Sequence, residues 1–201
     1  VTGSWDHTVR VWDATTGRQL GSVKARSSAY AVGFSPDGRY LVTGDDDGVV
    51  TVWDAETLER VRKLKGPASW IQDVAFGPSG QAVTPSGDGT ARIWDLESGR
   101  EVMTLRGHSG AVYDAAFSSD GARVATASDD GTAKLWDPST GRAVLTLFGH
   151  DRIINSLAFS PDGRLLATVN GDGTVSLHLL PIGEFRELAR RGLGMSPVHE
   201  I

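Results

Sequence analysis

The chain has 201 residues, 39% of them apolar and none of them cysteine; this is enough for one large domain, excludes a disulfide framework, and fits a reducing, cytoplasmic setting. Lysine and arginine total 20 against 25 aspartates and glutamates, a formal net charge of −5, which weighs against the clustered positive surface of a nucleic-acid binder. No apolar run reaches the ~20 residues of a membrane-spanning helix, so neither DNA nor a membrane is expected as a partner.

The chain opens at Val1 in mid-pattern and without a methionine, so the natural N-terminus is expected upstream. An apolar-Trp-Asp tripeptide then recurs at Val11-Trp12-Asp13, Val52-Trp53-Asp54, Ile93-Trp94-Asp95 and Leu135-Trp136-Asp137, in steps of 41, 41 and 42 residues. A degenerate copy, Leu177-His178-Leu179, stands 42 residues further on. A fixed period of this length marks one supersecondary unit stacked on its own copies.

Residues 1–24 read as a partial unit: the Asp6-His7 turn, a strand in which Val9 and Val11 alternate with Arg10, a turn at Thr15–Arg18, and a strand over about Gln19–Lys24. Units 25–65, 66–106 and 107–148 each carry four strands, lettered a to d, beginning near Tyr30, Ile71 and Val112. Their a–b turns follow Phe34, Phe76 and Phe117, as in Phe34-Ser-Pro-Asp-Gly38, where proline presets φ and glycine closes the turn. Their b–c turns are Asp47-Gly48, Asp88-Gly89 and Asp130-Gly131, strong hairpin signals. Pro85 sits inside a predicted strand and implies a bulge or a lost ladder bond. The last unit, 149–180, begins near Ile153, carries Asp172-Gly173, and ends its third strand near Leu179. In the tail, 181–201, Pro181 and Gly183 break the pattern and 184–191 reads as a short helix. The fold class is therefore all-β: a propeller of four-stranded antiparallel blades, about five of them, with the first and last incomplete.

The repeated Trp-Asp, the Asp-Gly turns, and the pairs Gly107-His108 and Gly149-His150 resemble the WD-repeat family over about residues 1–180. The resemblance implies a buried tetrad of His108, Ser128, Asp130 and Trp136 that fastens strands together. Partial sets stand elsewhere: Ser4, Asp6 and Trp12; Asp47 and Trp53, with Asp45 in place of serine; Ser86, Asp88 and Trp94; and His150 and Asp172. Only one blade holds all four members, so stability is expected to peak over Val112–Leu147. WD-repeat propellers usually close with about seven blades, so the resemblance implies the C-terminal part of a longer, bacterial-type propeller. Missing N-terminal blades would then complete the ring; the rival readings are a self-closed five-bladed ring and a ring completed by a second copy.

Ser128, His108 and Asp130 also invite a hydrolase reading, but no Gly-x-Ser-x-Gly elbow accompanies them. Asp45–Gly48 and Asn170–Gly173 lack the spacing of a calcium loop, and no metal or cofactor is expected. What the fold leaves unexplained lies in the top-face loops: Trp5, Arg26, Tyr30, Trp70, Tyr113 and Arg152 are the candidates for binding a protein or peptide. The expected function is a non-enzymatic scaffold. The alternative is the sensor portion of a signalling NTPase or kinase whose catalytic domain lies elsewhere.

Overall fold

The computed structural model describes residues 1–66, 69–148 and 153–181; the predicted helix over 184–191, His150 and Arg152 lie outside them. The described residues form five antiparallel sheets, each ordered as the chain runs. Blade one holds β1 (Thr2–Gly3), β2 (Thr8–Trp12) and β3 (Gln19–Lys24). Blade two holds β4 (Ala29–Phe34), β5 (Tyr40–Asp45), β6 (Val49–Asp54) and β7 (Arg60–Lys65). Blade three holds β8 (Ala75–Phe76), β9 (Gln81–Pro85), β10 (Thr90–Asp95) and β11 (Glu101–Arg106). Blade four holds β12 (Val112–Phe117), β13 (Val124–Ser128), β14 (Ala133–Asp137) and β15 (Arg142–Leu147). Blade five holds β16 (Ile154–Phe159), β17 (Leu165–Asn170) and β18 (Val175–Leu179).

Period-two alternation sends successive side chains to opposite sheet faces, and each face packs on a neighbouring blade. Trp136 and Val124 join Val83, Ile93 and Leu105 of blade three, while Leu135 and Ala133 join Ile154 and Leu166 of blade five. Similar clusters join blades one to two and two to three. At the two ends the same faces are open. Trp12 is 38% exposed whereas Trp94 and Trp136 are 2% and 1%, and on β18 Val175, Leu177 and Leu179 are more than half exposed.

The b–c turns need a residue with positive φ, which glycine adopts without strain. Gly48, Gly89, Gly131 and Gly173 all take it, with φ between 75° and 89°; in blade one His7 takes it instead, at 68°. A side chain in that region costs ~1–2 kcal/mol, partly offset by the greater freedom of glycine in the unfolded chain. His7→Gly is therefore expected to stabilise blade one by about 0.5–1 kcal/mol, measured by equilibrium unfolding. Leu58 makes the same exchange for a different return: it stands at φ 58° where other c–d turns use Gly17, Gly99 and Gly141, and its side chain packs on Gly21 of blade one.

Pro85 bears the expected defect. It pairs with Ala91 of β10, but it has no N–H to offer on its other side. The inner strand of blade three is accordingly reduced to Ala75–Phe76 and a single bridge, Ile71 to Ser86.

Candidate interaction surface and blade-fastening relay

The polar relay of blade four runs through Thr126, not Ser128. Trp136 Nε1–H donates to Thr126 Oγ1 at 2.8 Å, and Thr126 Oγ1 lies 2.7 Å from His108 Nε2. His108 Nδ1 lies 2.9 Å from Asp130 Oδ2, which also accepts the Ser109 N–H. A carboxylate only accepts, so Nδ1 carries the proton, and Nε2 accepts from the threonine hydroxyl. Burial lowers the His108 pKa, against the pull of Asp130, and keeps the ring in the neutral form this relay requires. The donors around Asp130, Thr132 first among them, outweigh its burial and hold its carboxyl at about 2.

Register explains the correction to Ser128. Trp136 stands opposite Val124, and Thr126 is its diagonal neighbour on the same face. Ser128 lies two residues beyond Thr126, about 6.6 Å further along the strand and out of the indole's reach. Its hydroxyl donates to the Ala111 carbonyl at 2.8 Å and accepts the Asp130 N–H at 3.2 Å, closing the b–c turn. Ser4 and Ser86 accept the Asp6 and Asp88 N–H groups in the same way.

The threonine link recurs in every blade. Trp12, Trp53 and Trp94 donate to Thr2, Thr43 and Thr84 at 2.9, 3.0 and 2.9 Å, and His178 Nε2 stands 3.2 Å from Thr168 Oγ1. Sequence reasoning passed over this column, although a threonine stands ten residues before the Trp position in all five copies. In blades one to three an arginine reaches the turn aspartate: Arg10 on Asp6 at 2.8 Å, Arg26 on Asp47 at 3.2 Å, and Arg92 on Asp88 at 3.2 Å. Arg26 thus has an intramolecular role within the fold. Asp45, buried at the serine position, accepts the Val49 N–H, and Asp172 accepts from Thr174.

The top-face aromatics divide into two groups. Trp70 and Tyr113, from blades three and four, stack with ring centroids 5.5 Å apart and planes 19° from parallel. Trp70 lies on Gly87, where a Cβ would come within 2.4 Å of the indole, and Tyr113 donates its hydroxyl to Asp129 at 3.5 Å. Both are half-buried. Trp5, two blades away from the stack, is 77% exposed, and Tyr30 is 36% exposed.

A family model described as "WD domain, G-beta repeat" matches residues 1–13, 17–54, 58–95, 99–137 and 141–178. The chain belongs to the WD40 repeat family. Each full WD40 repeat here contains the outer strand of one blade and the first three strands of the next, 17–54 spanning β3 to β6; the covalent repeat therefore staples neighbouring blades together. WD40 repeats serve in general as protein-interaction scaffolds. No curated protein matches the chain. The hydrolase arrangement is not assembled, since His108 faces buried Thr126 while Ser128 bonds a backbone carbonyl.

Proposed function

We propose that the chain is a non-enzymatic platform that binds a protein or peptide on its top face, anchored at the Trp70–Tyr113 stack. The observation that carries this reading is a partly open pair of large aromatics that blade architecture does not require. Other copies place Ser28, Ala111 and Ile153 at the Trp70 position. Amphipathic aromatics at low entropic cost are typical interface anchors. Trp5 and Tyr30 would extend the surface over blades one and two.

The test uses peptides selected from a display library on the intact chain. Trp70→Ala should weaken their binding by about tenfold or more, the scale of a hot-spot aromatic, with the melting temperature held. Trp5→Ala should weaken it less. Selected peptides that bind the Trp70→Ala chain as tightly would remove the anchor.

A second reading, the sensor portion of a larger signalling protein, is supported by the apolar rows left open at both ends. Further blades against Trp12 and against Val175, Leu177 and Leu179 would bury them as the internal interfaces bury Ile93 and Leu135. Hydrogen exchange on the natural full-length protein tests this: β2 and β18 should be protected relative to this chain, and equal exchange would reject it.

A further inference from the structure

The Trp70–Tyr113 stack stands between two exposed carboxylates, and hydrogen bonds fix the order. On the blade-two side the Ile71 N–H donates to the Asp45 carbonyl at 3.1 Å, so the b–c turn that holds Asp46 lies next to Trp70. The Trp70 carbonyl in turn accepts the Gly87 N–H of the blade-three turn at 3.1 Å. On the blade-four side the Tyr113 hydroxyl donates to Asp129 Oδ1 at 3.5 Å, and the Asp129 N–H is tied to the Ala111 carbonyl at 2.9 Å. The top face thus carries a row that runs over three blades: Asp46, Trp70, Tyr113, Asp129.

The charge of this row is uncompensated. Among the described residues every b–c turn holds an aspartate and none holds a lysine or arginine. Most of these carboxylates are occupied within the fold: Asp6, Asp47 and Asp88 by arginines, and Asp130 by His108. The described d–a loops add one arginine, Arg26, and it is the one already on Asp47. Asp46 and Asp129 are exposed, and no ion pair among the described residues reaches either of them. Asp129 Oδ2 accepts no hydrogen bond there either. An aromatic ring attracts a cation through its π face, and a carboxylate at the ring edge attracts it further. Lysine and arginine also carry apolar stems that can lie along the rings while the charged head stays in water. An acidic partner would instead meet like charge at both ends of the row.

We propose that this row selects basic peptide segments. A lysine or arginine of the partner lays its stem against the Trp70–Tyr113 stack and its charge at Asp129, and Asp46 favours a second cation at the other end. The proposal rests on the anchor role of Trp70 given above and adds to it the charge of the partner.

The experiment starts from a display library with basic and acidic residues in equal number, selected on the intact chain. The bound set should be enriched in lysine and arginine over the starting library. One selected peptide is then synthesised and titrated by calorimetry against the wild type and three variants. Asp129→Asn keeps an acceptor for the Tyr113 hydroxyl but not the charge, and should weaken binding about threefold at low salt, the scale of an exposed ion pair. Asp129→Lys, which sets like charges against each other, should weaken it about tenfold or more. At about 0.5 M salt the wild type should fall to the level of Asp129→Asn. The same peptide with glutamine for each lysine and arginine should bind wild type and Asp129→Asn alike. A selected set with no excess of basic residues, or an Asp129→Lys chain that binds as tightly as the wild type, overturns the proposal. If Trp70→Ala weakens binding and Asp129→Lys does not, the anchor stands and the charge selection falls. If Asp129→Lys weakens it and Trp70→Ala does not, the charge selection stands and the anchor falls.

Discussion

Thr126→Val should destabilise blade four far more than Ser128→Ala. Valine keeps the shape of threonine, so little packing is lost, but both neighbours in the relay lose their partner. The Trp136 N–H and the His108 Nε2 are buried against the blade, and each unsatisfied group costs about 1–3 kcal/mol. The variant should therefore lose about 2–6 kcal/mol. Ser128→Ala removes a hydroxyl that closes a turn at the strand end; a single hydrogen bond of that kind contributes about 1 kcal/mol. Blades in a repeat array can open separately, so the measurement is hydrogen exchange at the amides of β13 and β14. Equal losses from the two variants would remove Thr126 from the relay.

The strands were legible because three independent signals agree in each of the three complete copies: the alternation around Trp53, Trp94 and Trp136, the Asp-Gly turns, and the turns after Phe34, Phe76 and Phe117. The relay was legible in its ends but not in its middle. Strand b carries two hydroxyl columns on one face, Thr126 and Ser128 in blade four, and composition does not choose between them. Cross-strand register does, since the indole of Trp136 reaches only the diagonal neighbour. Column recurrence favours the same answer, because threonine holds in five copies while the serine column gives way to Asp45 and Asn170. The contact of Trp70 with Tyr113 was hidden for another reason: the sequence placed both on one face, and only the packing of blade three on blade four brings them into one stack.

Two pH dependences of opposite sign should meet at the seam between blades three and four. His108 has a lowered pKa when folded, so the unfolded chain takes up its proton first, and stability falls as pH drops below the ordinary histidine range. Asp130, held at about 2 against an ordinary 3.8, adds a stabilisation of about 2 kcal/mol that is present above pH 4 or so and is lost toward pH 2. Both effects loosen blade four in acid. Asp73 acts the other way. Burial, and then the charge of Asp114, raise its pKa to about 7 when folded, so the folded chain keeps a proton that the unfolded chain has released. The resulting cost is absent below the ordinary carboxyl range, grows as pH rises through it, and is complete above about pH 7. Asp73→Asn removes the alkaline limb and leaves the acid limb untouched. Its melting temperature should exceed that of the wild type at about pH 8 and converge with it at about pH 4, where both side chains are neutral donors. An advantage of the same size at both pH values would mean that packing, and not the proton on Asp73, governs the seam.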